Sequence, residues 1–74
     1  VRPGTLLCPR KDTIGTDYRL SGTNGVYHRF THQDTVLVIG TTQDVTLWYG
    51  LLNGHTLFKM CESWASDLLV EVIP

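Results

Sequence analysis

Val45–Glu62 reads VTLWYGLLNGHTLFKMCE. Two runs rich in Val, Leu, Thr, Trp, Tyr and Phe flank Asn53-Gly54. Asn-Gly between such runs is the strongest short hairpin signal, because a type I′ turn requires φ > 0 at both central residues. A two-residue loop fixes the register: Leu52 opposes His55, Gly50 opposes Leu57, Tyr49 opposes Phe58, Trp48 opposes Lys59 and Leu47 opposes Met60. Cross-strand partners share a face, and successive residues alternate faces. One face then carries Val45, Leu47, Tyr49, Leu51, Thr56, Phe58, Met60 and Glu62. The other carries Thr46, Trp48, Gly50, Leu52, His55, Leu57, Lys59 and Cys61. The first is the more apolar and is the expected core face. The second is the expected outer face, with Trp48 beside Lys59 for cation–π contact. A slip of one residue would exchange the faces.

Outward from this hairpin, the chain reads as short strands separated by turn residues. Arg2-Pro3-Gly4 is an opening turn, and residues 5–8 form a first strand ended by Pro9. Lys11–Gly25 is rich in Thr, Gly, Ser and Asp, and is expected to be a long excursion with little core. Tyr18 and Leu20 mark a weak strand within it, and Asn24-Gly25 is a second hairpin signal leading into a strand at 26–31. Residues 35–42, TVLVIGTT, form a strand whose four-residue apolar run predicts burial on both sides or a bend, which Gly40 would supply. Strands at 45–52 and 55–62 make the hairpin. A 3₁₀ turn at Ser66-Asp67-Leu68 precedes a last strand at 69–73. The expected core is Leu6, Val36, Val38, Leu47, Tyr49, Phe58, Met60, Leu68 and Val70. No 11-residue window carries a helical period, so the fold class is all-β. Five to six short strands in one domain of 74 residues must close or nearly close, which predicts a small, strongly bent barrel over residues 1–74.

A chain of 74 residues buries only about 60% of its unfolded surface, leaving little volume for an enclosed active site. Six Lys and Arg and a net charge of −1 give no strong basic field, so nucleic acid is the less favoured partner. No run of about 18 apolar residues exists, so no membrane span is expected, and the expected location is cytoplasmic. No signal peptide is recognisable, and the start at Val1 leaves a trimmed N-terminus open. Cys8 and Cys61 are too few for a disulfide framework and read as free, half-buried thiols. A single bridge between them would stabilise by about 4 kcal/mol if geometry allowed it.

The order of elements resembles an SH3-like barrel: a PGTLL opening strand, a long first loop, TVLVIGTT, the hairpin VTLWYGLLNGHTLFKMC, a short turn at SDL and a closing LLVEV strand. The ends, Pro3-Gly4-Thr5-Leu6-Leu7 and Ser66–Ile73, look like those of many small barrel proteins of bacteriophages and environmental sequences. They are also similar to the ends of the small photosystem I accessory subunit of the same fold. That subunit is strongly basic at its opening strand and this chain is not, so its function is not carried over. The acidic loop and Trp-Pro groove of the peptide-binding subclass are both missing. A shared fold licenses no function by itself.

Three constellations have chemical potential. His28, His32 and His55 with a cysteine have the residue types of a zinc site. On a strand, however, His28 and His32 would lie roughly 13 Å apart, so three unrelated surface histidines is the better reading and no metal is expected. Cys61 and His55 have the types of a thiol dyad but lie roughly 20 Å apart along one strand, and no other motif nominates a catalytic group; no enzyme and no cofactor are expected. The third is the outer hairpin face: Trp48, Leu52, Leu57 and Lys59, with Tyr27, Arg29 and Trp64 nearby. These types are enriched at interface hot spots, against the plainer reading of Trp48 as core. The expected function is a non-enzymatic module that binds a protein partner or itself through this aromatic face. The alternative is a weak nucleic-acid-binding barrel using Arg10, Lys11, Arg19 and Arg29 with Tyr18 and Tyr27.

Overall fold

The computed structural model describes residues 2–72. Turn residues divide them into β1 (Leu6–Pro9), a 3₁₀ turn (Lys11–Thr13), β2 (Asp17–Arg19), β3 (Tyr27–Arg29), β4 (Val36–Thr41), β5 (Trp48–Leu52), β6 (Thr56–Met60), α1 (Glu62–Leu68) and β7 (Leu69–Glu71). The domain is all-β, with strands shorter than expected and a weak strand, β2, realised. Five strands form one antiparallel sheet in the order β6-β5-β4-β1-β7, and β2-β3 is a separate hairpin. The two meet where Lys59 N–H donates to Ser21 O at 2.9 Å.

The central turn forms as its chemistry dictates, but the ladder beside it is one residue out of the expected register. Asn53 and Gly54 both have positive φ, 52° and 78°, and His55 N–H closes the turn onto Leu52 O at 3.1 Å. Pairing resumes at Leu52↔Thr56, so Gly50 opposes Phe58, Tyr49 opposes Lys59 and Trp48 opposes Met60, with His55 absorbed in the loop. Two contacts explain the slip. The Phe58 ring needs a residue without a side chain opposite it: a Cβ on Gly50 would sit 2.9 Å from Val36 Cγ1 and 3.1 Å from Phe58 Cε1. Asn53 is also held by Thr35, the residue before β4, its N–H donating to Thr35 O (2.8 Å) and its Oδ1 accepting from Thr35 N–H (2.9 Å). The slip inverts the faces of β5 but not β6. Phe58 and Met60 point inward as expected, joined by Leu52 and, half-buried, Trp48. Tyr49 and Leu51 turn outward.

The core lies between the inner face of the main sheet, the β2–β3 hairpin and α1. Val36, Val38, Phe58 and Met60 are buried as expected, while Leu47, Tyr49 and Leu68 are half-buried. Leu6 and Val70 point outward instead, because β1 and β7 bury the neighbouring Leu7 and Leu69. Both strands place two apolar residues side by side, so alternation did not decide their faces. Leu20 and Phe30 are fully buried, so the Lys11–Gly25 excursion and the strand after it contribute core where little was expected. In β4, Leu37 and Ile39 are not enclosed. Alternation turns both outward, and a bulge between Val38 and Gly40 bends the strand, with Gly40 at the predicted bend.

The segment before the last strand is the α-helix α1 rather than a 3₁₀ turn, and the 3₁₀ turn lies at Lys11–Thr13. At seven residues α1 is too short for a periodic signal, yet it directs Trp64, Ala65 and Leu68 inward. Trp64 is the hub of an aromatic cluster, with ring centroids 5.7 Å from Phe58, 6.2 Å from Phe30 and 6.4 Å from Tyr18. Residues 45 and 46 lie in a turn ahead of β5. The expected end of the last strand at residue 73 lies outside the described residues.

Candidate functional site

The outward face of the five-stranded sheet is built by register alone. Leu57 opposes Leu51, Leu51 opposes Leu37, and Leu37 opposes Leu6. Val72, one residue past β7, donates its N–H to Leu6 O at 2.8 Å. These five aliphatic side chains therefore form one row across all five strands. Leu57 is 50% exposed, Leu6 and Val72 are each 38% exposed, and Leu51 and Leu37 are half-buried by their neighbours in the row. Tyr49, Lys59 and the 47%-exposed Ile39 flank it on one side, and Cys8 with Val70 on the other. The Lys59 ammonium lies 6.0 Å from the Tyr49 ring centroid, so the cation–π partner is Tyr49 rather than Trp48.

A second cluster gathers polar groups. Asp34 is buried, 5% exposed. Its Oδ2 accepts from His28 Nε2–H at 2.7 Å and from Thr31 N–H at 2.9 Å, and its Oδ1 accepts from Asn53 Nδ2 at 2.8 Å. Burial pushes this carboxyl up, but the hydrogen bonds from Asn53, His28 and Thr31 outweigh it and hold it below its ordinary value. The His28 ring also packs edge-on against Phe30 at 5.5 Å. The cluster fastens β3 to the end of the main sheet. His28 is thus a half-buried structural residue, not one of three unrelated surface histidines. The sequence signals it only through Asp34, a turn-forming residue type just before a strand.

A cleft of about 100 Å³ opens where β2 runs beside β6, lined by Arg19, Ser21, Lys59, Cys61 and Trp64 with Leu47 and Met60. That is room for about three waters. The Cys61 thiol is lowered chiefly by the Ser63 hydroxyl, 3.3 Å away, and by backbone N–H donors at the start of α1. Cys8 and Cys61 are separate free thiols, both half-buried.

The expected contact set does not share a face. Leu52 is buried, and Trp48 and Trp64 are half-buried against the core, so these three are unavailable as one surface. Leu57 and Lys59 do lie on the outer face of the main sheet. Tyr27, 68% exposed, and Arg29 lie on the separate hairpin, where Arg29 Nε pairs with Asp17 Oδ1 at 2.9 Å. Of the residues weighed for nucleic acid, Arg19, Tyr27 and Arg29 lie on the β2–β3 hairpin, Arg10 and Lys11 lie beside Cys8 and Val70 with Arg10 Nε donating to Ser66 O, and Tyr18 packs inward against Phe30 and Trp64. His55 Nδ1 contacts Thr56 Oγ1, away from Cys61. Among the described residues no three His, Cys, Asp or Glu side chains are grouped to hold a metal ion, and no helix is long and apolar enough to cross a membrane. Searches against family models, curated proteins and solved structures find no match for the chain.

Proposed function

We propose that this chain is a non-enzymatic interaction module whose contact surface is the outer face of its main sheet. The supporting observation is the row Leu57, Leu51, Leu37, Leu6 and Val72, with Ile39, Tyr49 and Val70 beside it. A contiguous apolar surface of several hundred Å² on a small domain marks a contact site, because leaving it in water forgoes about 25 cal/mol for each Å². The surface is aliphatic where an aromatic one was expected, since the one-residue slip sends Trp48 inward and Leu51 outward. We read the two sheets and the intervening helix as a small SH3-like barrel, on the order of elements and the sequence of the two ends, which also favours a bacteriophage or environmental origin. The test combines solution mass with an anilinonaphthalene dye that fluoresces on apolar surface. Either a mass above the monomer, or dye binding by the folded monomer that is lost in Leu37→Thr/Leu51→Thr, is the expected result. A monomer of unchanged circular dichroism that binds no dye overturns the reading.

A further inference from the structure

We infer that the occupant of the outer sheet face is a second copy of this chain; this rests on the contact-surface reading above. The strand order β6-β5-β4-β1-β7 puts Leu37 of β4 at the centre of the row, with two row residues on either side. Two sheets packed face to face are related by a two-fold axis lying in the plane between them. An axis along β4 sets Leu57 against Val72 of the second copy, Leu51 against Leu6, and Leu37 against itself. An axis along the row sets each residue against its own counterpart. Both arrangements place aliphatic on aliphatic at every position, so the row is complementary to itself. A different protein would be selected by charges or donors facing it. Among the described outward positions of the five strands the one charged side chain is Lys59, which sits on the edge strand β6, while Arg10, Lys11 and Asp12 line a hollow with Cys8 and Val70 at the rim, off the row. There its ammonium can reach water past the rim of a closed interface.

The size of the face sets the strength of the contact. Four inter-strand gaps of about 4.8 Å and two gaps of about 6.7 Å between three rows span roughly 19 by 13 Å between Cα atoms, and about 2.5 Å of side chain at each rim brings this to roughly 24 by 18 Å, on the order of 430 Å² per copy. A standard stable interface takes about 800 Å² per partner, so this dimer belongs to the weak, transient class. A dissociation constant on the order of 100 µM is the expectation.

Cys8 supplies a local readout. It pairs with Val70 on the flank of the row and lies inside the contact, whereas Cys61 lines the cleft at the start of α1, outside it. The experiment is sedimentation equilibrium of the full chain from about 5 µM to about 1 mM, a range that brackets the expected constant. Iodoacetamide alkylation of both thiols is followed by mass spectrometry over the same range. The expected result is a mass rising from one chain towards two, with Cys8 alkylation slowing several-fold as the dimer forms and Cys61 unchanged. Leu37→Lys and, separately, Ile39→Lys, each with native circular dichroism, should stay monomeric with Cys8 fast throughout. A parent that stays monomeric yet binds the dye overturns the second copy and leaves the contact surface standing. A monomer that binds no dye overturns both. A dimer that survives both lysine variants with Cys8 still reactive lies on another face and overturns the inference.

Discussion

Asp34 carries more of the fold than its sequence position suggests. It fixes three donors from β3, the following loop and the central turn, and burial makes each of those hydrogen bonds costly to leave unmade. Its carboxyl ionises at a lower pH in the folded chain than in the unfolded one. The stability it adds is therefore present above the unfolded value of about 3.9 and is lost as pH falls through the lower folded value. Asp34→Ala should lower stability at neutral pH by about 2–3 kcal/mol in urea unfolding, and the fall in stability below about pH 4 should become shallower than in the parent. Asp17 and Asp44 are also held low, by the Arg29 guanidinium and by the Thr42 and Thr46 hydroxyls respectively, but at exposed sites where solvent screens the gain. Gly50 is a second such residue. Gly50→Ala should lower stability by about 1–3 kcal/mol, since the added methyl group meets Val36 and Phe58. Gly40→Ala, with no atom within 4 Å of the new Cβ, should change it by less than about 0.5 kcal/mol. Neither residue's role was legible in the sequence. A carboxylate and a glycine look alike whether solvated or enclosed, and what encloses them comes from strands far away in the chain.

At the scale of elements, the turn was legible and the register was not. Asn53-Gly54 adopts the left-handed pair that its chemistry requires. Gly54→Ala should cost about 1 kcal/mol of thermal stability through backbone strain alone, because nothing lies within 4 Å of the new methyl group. An unchanged melting midpoint would contradict that. How many residues the loop holds depends on the pairing of β5 with β4 and on the fit of Phe58 over Gly50, both tertiary. Val45 shows the same limit from the other side. It is a β-branched residue in a run of good strand formers, yet it sits at φ 60° in a turn tied by Asp44 to Thr42 and Thr46. The helix α1 is illegible in the sequence for a different reason. Two turns carry no usable period, and only the inward spacing of Trp64, Ala65 and Leu68, visible once the sheet is in place, explains them.

Across the whole molecule, the fold class followed from the alternation and the turn residues, while the strand order did not. β1 lies between β4 and β7, so the main sheet is complete only when the first and last strands pair. Such non-local pairing slows folding, towards the millisecond-to-second range. The outer sheet face was half legible: the outward placement of Leu57 and Lys59 follows from the hairpin, but Leu37, Leu51 and Leu6 become a row only through pairings between strands distant in sequence. The antiparallel β1–β7 ladder has a mechanical side too. Leu6 and Val72 sit next to each other at one end of it. Tension entering the domain at these two points pulls across the strands, along the line of the hydrogen bonds. Each bond then bears the whole load in turn, as in a zip, instead of sharing it as in shear. Under force the domain should peel open from β7 at low tension, while β4, β5 and β6 remain joined.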